Sequence, residues 1–220
     1  MSIKKISRFS FLPLFFYSLL CFGNEGSSLA INSAFYLGFL GGYGSTTWNG
    51  LVPNNLDQNL ALSLSTPIKA TEGGGVWGFI AGHEFIPALA LELSYMNYPQ
   101  AKLLFDETSL FSFDHDNLTI LETKTETVSL MAKIMLPIST TSFRVYSSAG
   151  AAGVHRKDML LNDWRLSPTF GLGLNYQFTR HLMAELGGNY TAGYGESQLS
   201  PTESYFPFLY SITARLAYRF

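Results

Sequence analysis

Charged side chains lie at alternate positions inside otherwise apolar segments of this sequence, and they are the first candidates for chemistry. They are Glu84, Glu92, Lys133, Arg144, Glu185 and Arg215, and their face otherwise carries mostly glycine, serine and threonine. If such a face is enclosed, each charge must be paired, because an isolated buried charge is strongly unfavourable. Two roles are open: a structural network that fills the interior, or a gate whose ion pairs exchange partners and let small ions pass.

Two histidines near acidic residues could act as general bases. His115 lies within Asp114-His115-Asp116, and His155 precedes Asp158 and Asp163. General-base catalysis requires a nucleophile within hydrogen-bond reach, and neither histidine belongs to a His-x-Ser or comparable motif. We therefore predict solvated loop residues and no catalytic residue. Close acidic residues in a loop are weak evidence for a divalent cation, so neither a metal nor a cofactor is predicted.

The elements that carry the charged residues are strands, as the last segment of the chain illustrates. Between positions 206 and 220 every even position is apolar, whereas the odd positions are mostly small or charged. A repeat of two residues predicts a strand. Aromatic residues lie at both ends of the apolar face and aliphatic residues lie between them, as in a strand that crosses a membrane.

Seven further segments show comparable alternation. The predicted strands are 34–44, 73–85, 89–98, 123–136, 143–154, 166–178 and 182–194. Polar stretches at 45–72, 99–122, 155–165 and 195–205 alternate along the chain with short connections at 86–88, 137–142 and 179–181. This alternation predicts an eight-stranded antiparallel up-and-down barrel with short periplasmic turns and longer extracellular loops.

The size of the two faces decides which one points inward. A soluble barrel around an apolar ligand would show the same alternation. An eight-stranded interior, however, is only wide enough to be filled by side chains, and the large apolar face would overfill it. Charged residues make up 14% of the chain, against roughly 25% in soluble domains. We therefore predict an all-β transmembrane barrel with the charged face inside.

The N-terminus predicts a secretory signal peptide. A basic region at 4–8 precedes the apolar stretch 9–22, which is too short to span a bilayer as a helix. Residues 1–23 are the predicted signal, with cleavage after Gly23 or as late as Ala30, and 31–220 is the predicted barrel domain. Removing this signal also removes Cys21, the single cysteine, so no thiol chemistry is expected. The net charge of −2 predicts no nucleic-acid partner.

Several motifs resemble the small eight-stranded outer-membrane proteins of Gram-negative bacteria, the group of the OmpA transmembrane domain, OmpX and the opacity proteins. They are Phe35-Tyr36-Leu37-Gly38, Gly82-His83-Glu84-Phe85, the segment 87–95 and the ending Leu216-Ala217-Tyr218-Arg219-Phe220. The resemblance implies that Tyr218 and Phe220 form the C-terminal signal read by the barrel-assembly machinery. It also implies a monomer in the outer membrane, in contact with lipid and lipopolysaccharide, with a lumenal charge network.

The loops decide the functional expectation. Loops 45–72 and 99–122 contain apolar residues that either form a surface for a ligand or pack over the barrel mouth: Trp48, Leu51, Val52, Leu110, Phe111 and Phe113. We expect a non-enzymatic surface protein that contributes to envelope integrity and contacts ligands or other cells through these loops. The alternatives are a narrow gated pore for small ions or solutes, and an outer-membrane enzyme that hydrolyses lipid or peptide.

Overall fold

The computed structural model describes residues 34–52, 64–138, 141–194 and 205–220. The predicted signal segment 1–23 and the alternative cleavage site at Ala30 lie outside these ranges. Ten strands are present: β1 (Ala34–Thr46), β2 (Lys69–Thr71), β3 (Gly74–Ile86), β4 (Leu89–Asn97), β5 (Ala101–Leu104), β6 (Ile120–Pro137), β7 (Phe143–Lys157), β8 (Asn162–Gln177), β9 (Leu182–Thr191) and β10 (Leu209–Arg219). In the described ranges, no helix has the length and apolar character needed to cross a membrane.

Eight of these strands close into a barrel. The order around the ring is β1-β3-β4-β6-β7-β8-β9-β10, and β10 pairs again with β1. Every pairing is antiparallel, and Leu40 lies opposite Arg215 at the seam between the first and last strands. Closure pairs the backbone groups of both edge strands, which a lipid environment requires. The predicted eight-stranded up-and-down barrel is confirmed.

Side chains alternate between an apolar exterior and a polar interior. On β6, Val128, Leu130 and Ile134 are exposed, whereas Ser129, Met131 and Lys133 between them are buried. Because side chains of a strand alternate with a repeat of two, this pattern fixes the register. Aromatic rings cluster toward the exterior ends of the strands, as with Phe143 and Tyr176, whose ring centroids are 4.6 Å apart. The predicted orientation of the two faces is confirmed.

His83 lies on the exterior near the short-turn end. Its ring lies 4.2 Å from that of Phe35 and 4.7 Å from that of Phe85, measured between centroids. An imidazole is flat and amphipathic, so it can take the place of an aromatic residue in a membrane-interface belt.

The predicted loop 155–165 is wrong. β7 continues to Lys157 and β8 begins at Asn162, so only residues 158–161 connect them. β6 likewise begins at Ile120, three positions before its predicted start at Thr123. These extensions project beyond the apolar band. Their inward side chains, such as Arg156 and Thr123, are polar although they are buried, and their outward side chains include the exposed Lys124 and Lys157. Because polar residues lie on both faces, the alternation that would reveal a strand is lost.

The described parts of loops 45–72 and 99–122 also contain more secondary structure than predicted. They contain a 3-10 helix at Trp48–Leu51, the strands β2 and β5, and a short helix α1 at Leu110–Asp114. β5 pairs with the top of β6, and β2 pairs with β5, so these segments extend the barrel wall on one side. Residues 53–63 of the first loop and 195–204 of the last loop lie outside the described ranges.

Candidate functional site: lumenal charge network and extracellular cap

Four charged side chains from four strands meet inside the barrel. The ammonium of Lys133 donates to Glu185 Oε1 and Oε2 at 2.6 and 2.7 Å and to Glu92 Oε2 at 3.2 Å. Arg215 Nη1 lies 2.7 Å from Glu92 Oε1 and 3.6 Å from Glu185 Oε2. Each side chain is about 1% exposed. We call Glu92, Lys133, Glu185 and Arg215 the central cluster; its two acids and two bases balance in charge.

The other predicted charges form a second group nearer the short-turn end. Arg144 Nη2 lies 3.0 Å from Glu84 Oε1, and Arg219 Nη2 lies 2.9 Å from Glu84 Oε2. Asn175 connects this group to the central cluster, because it accepts from Arg144 Nε at 3.0 Å and donates to Glu185 Oε1 at 2.7 Å. The structure thus places all of the predicted lumenal charges in one connected network.

Two tyrosines complete the network and were not among the predicted site residues. The hydroxyl of Tyr36 donates to Glu92 Oε2 at 2.7 Å, and Lys133 Nζ lies 4.1 Å from the centre of the Tyr146 ring. A Cβ at Gly82 would collide with the ring of Tyr36, so the absence of a side chain at position 82 leaves room for this tyrosine to reach Glu92. The parity of Tyr36 and Tyr146 on their strands is the sequence signal that could have identified them.

The extracellular mouth of the barrel is covered by a packed apolar group, which we call the cap. Its members are buried and come from both long loops, β5, the top of β6 and residue 205: Trp48, Leu51, Ala101, Leu103, Phe105, Phe111, Leu121 and Tyr205. The sequence left two roles open for the apolar loop residues, a ligand surface or packing over the barrel mouth. Trp48, Leu51 and Phe111 pack over the mouth. Leu110 and Phe113 are instead 53% and 82% exposed.

One buried cation and one carboxylate fasten the cap to the barrel wall. Arg156 Nε donates to Asp158 Oδ2 at 2.6 Å and Nη1 donates to the carbonyl of Tyr205 at 2.7 Å. The guanidinium carbon also lies 4.9 Å from the centre of the Trp48 ring. The Glu72 carboxylate accepts from the backbone N–H groups of Trp48 and Asn49, and its partial burial raises its pKa above the ordinary value.

The candidate histidines do not form a common site. His115 follows α1, and its Nδ1 lies 2.8 Å from the carbonyl oxygen of Phe111. His155 lies on β7, with Nδ1 2.7 Å from Glu126 Oε1 and Nε2 2.8 Å from Asn162 Oδ1. The predicted loop position of His155 is therefore wrong. Among the described residues, no three His, Cys, Asp or Glu side chains are grouped so that they could hold a metal ion.

The C-terminal residues Tyr218 and Phe220 lie on the exterior. Their side chains are 50% and 67% exposed, and their ring centroids are 5.1 Å apart. The Phe220 backbone N–H donates to the carbonyl of Phe35 at 2.8 Å, which holds the end of the chain against β1. Recognition of these two residues by the barrel-assembly machinery remains a prediction.

A closed eight-stranded barrel with an apolar exterior, aromatic ends and an enclosed charge network defines an outer-membrane β-barrel protein. The family model for the OmpA-like transmembrane domain matches residues 32–220. The chain therefore belongs to the OmpA-like transmembrane domain family, and its location is the outer membrane. The expected resemblance is confirmed.

Two solved structures show the same fold at low sequence identity. AlkL, determined by solid-state NMR in lipid bilayers, has a TM-score of 0.53 and 14% identity, covering 90% of this chain and 95% of AlkL. Neisserial surface protein A has a TM-score of 0.51 and 12% identity, covering 86% of this chain and 99% of that protein. The sequence has no significant match among curated proteins.

Proposed function

We propose that this protein is a non-enzymatic barrel that contributes to envelope integrity and contacts ligands or other surfaces through its extracellular cap. The observation that supports it best is the double closure of the lumen. The central cluster fills the interior with paired charges, and the cap covers the mouth with packed aromatic and aliphatic side chains. A narrow lumen filled in this way favours a rigid scaffold over a transport route.

The exposed apolar residues of α1 are the contact surface that we propose. Phe111 anchors α1 in the cap by stacking on Phe105, with ring centroids 4.2 Å apart. Leu110 and Phe113 remain exposed on the same helix. Exposed apolar side chains on a rigid support can bind a partner without the entropy cost of becoming ordered first, which favours binding.

Adhesion of cells that express the barrel tests this surface. The double variant L110S/F113S is compared with wild type and with M159S, since Met159 is an exposed apolar residue in the β7–β8 connection. Adhesion to polystyrene and to a cultured epithelial layer is counted at equal surface expression. We expect L110S/F113S to lower adhesion several-fold and M159S to leave it unchanged. Equal adhesion of all three strains would contradict the role of α1.

A narrow gated pore is the second candidate, and one feature favours it. Lys133 and Arg215 each lie near both Glu92 and Glu185, so the ion pairs could exchange partners without leaving a charge unpaired. Single-channel recording in a planar bilayer distinguishes the two functions. A gated pore predicts discrete openings that change in K133A and E185A, whereas a filled scaffold predicts no conductance in the wild type.

A further inference from the structure

The exterior of the barrel wall carries a row of lysines above the apolar band. Lys69, Lys102, Lys124 and Lys157 are exposed and lie on β2, β5, β6 and β7. These strands are neighbours in this order, because β2 pairs with β5, β5 with β6, and β6 with β7. We call these four residues the lysine face. They share one face of the sheet, since Lys102 lies opposite Glu122 and Lys124 lies opposite Lys157.

Lys124 and Lys157 are the centre of this face. They are direct cross-strand partners, and two like charges in that arrangement are destabilising without a counter-charge. Within the described ranges, neither ammonium has a carboxylate oxygen within 4.0 Å. Neither lysine is held in a close ion pair, so both ammonium groups can bind an anion supplied from outside.

The two nearest acids on this face are engaged by other groups. Glu122 pairs with Lys102 at 2.6 Å and accepts from Gln100 at 2.8 Å. Glu126 accepts from Tyr95 at 2.7 Å and lies 2.7 Å from His155 Nδ1. Both carboxylates also interact electrostatically with the two lysines, Glu122 with Lys124 and Glu126 with Lys157. Because their close contacts are to other groups, the ammonium groups of both lysines remain available to an external anion.

The height of the lysine face matches the headgroup layer of the membrane. Val128 is a lipid-facing residue on β6 and lies four positions below Lys124, which is about 10 Å along the membrane normal for a tilted strand. The row between them contains His155 and Trp164, whose rings stack with centroids 4.6 Å apart. An aromatic row at this position is typical of a membrane interface. The lysines lie just beyond this row, at the level of the lipid phosphates.

We propose that the lysine face binds the phosphate groups of the glycolipid around the extracellular end of the barrel, with Lys124 and Lys157 sharing one phosphate. The partner is a phosphorylated glycolipid such as lipopolysaccharide. Its acyl chains lie along the apolar exterior below, which on β6 begins at Val128 and Leu130. Lysine binds phosphate through charge, and each lysine near an anionic surface strengthens binding about fivefold. The site does not depend on adhesion through α1.

Binding of purified lipopolysaccharide to the refolded barrel in zwitterionic detergent tests the site. The variant K124Q/K157Q is compared with wild type and with R180Q, whose exposed arginine lies in the β8–β9 turn at the opposite end. The heat-dependent mobility shift on an SDS gel verifies that each variant is folded. Affinity is measured by titration at low and high salt, with intact and with dephosphorylated lipopolysaccharide.

We expect K124Q/K157Q to bind about 30-fold more weakly at low salt, with a smaller salt dependence, and R180Q to bind as wild type does. Wild type should bind the dephosphorylated form at least as weakly as the double variant binds the intact form, because the variant keeps Lys69 and Lys102. Equal affinity of wild type and K124Q/K157Q would overturn the proposal. Competition by the soluble phosphorylated oligosaccharide as effective as that by intact glycolipid would overturn the assignment to a lipid.

Discussion

Removing the ammonium of Lys133 should destabilise the barrel strongly. In K133M, Glu92 keeps Arg215 and the hydroxyl of Tyr36, each at 2.7 Å. Glu185 keeps the amide of Asn175 at 2.7 Å, but its nearest cation is then Arg215 at 3.6 Å. The central cluster becomes net negative in an enclosed space, and Glu185 carries most of the uncompensated charge.

The expected magnitude follows from the burial of the cluster. Breaking a buried pair by removing one partner costs about 3–5 kcal/mol, whereas replacing both partners by uncharged residues of similar volume is nearly neutral. Because Glu185 keeps one hydrogen bond, we expect K133M to lose about 3 kcal/mol of unfolding free energy. The double variant K133M/E185Q should lie within about 1 kcal/mol of wild type, since it removes the unpaired charge as well.

Urea unfolding of the barrel in lipid vesicles measures this difference. Tryptophan fluorescence and the heat-shifted SDS band report the folded fraction, and R180M serves as a control for loss of an exposed cation. The reasoning would be refuted if K133M were as stable as R180M. It would also be refuted if K133M/E185Q were less stable than K133M, because the destabilisation would then come from lost packing and not from unpaired charge.

Two further predictions concern the wall and the lysine face. A Cβ at Gly150 would meet the backbone carbonyl oxygen of Leu130, which cannot move without breaking the β6–β7 pairing. A Cβ at Gly41 would instead meet its nearest atom at 3.9 Å. We therefore expect G150A to lower the yield of barrel that shows the heat-dependent mobility shift, and G41A to keep the yield of wild type. The hydrogen bond and charge of Lys102 hold the pKa of Glu122 below its ordinary value of 4.5, so this ion pair contributes to stability above that value and is lost as pH falls through the lowered pKa. E122Q should therefore show a smaller loss of stability as the pH falls below 4.5. At pH 7 it should bind lipopolysaccharide about fivefold more tightly, because Lys102 is freed. Unchanged affinity in E122Q would contradict the assigned role of Lys102.

The outer end of the barrel shows where local patterns stop being informative. Residues 155–165 are mostly polar, and their composition predicts a loop, yet most of them continue β7 and β8 beyond the apolar band. Trp48 and Phe113 are both aromatic residues in polar loops, but one is fully buried and the other is 82% exposed. Their difference depends on which segments pack together above the mouth, and sequence spacing carries no such information.

The sequence by itself determined the barrel, the number of its membrane-crossing strands and the direction of each side chain. A strand has a repeat of two, and a membrane requires one apolar face, so Lys133 and Glu185 could be placed inside from parity alone. Only the tertiary structure decided that Lys133 bridges Glu92 and Glu185 and that Lys124 lies beside Lys157. Such contacts depend on the register between strands far apart in the chain, and strand parity fixes the face of a residue but not its height.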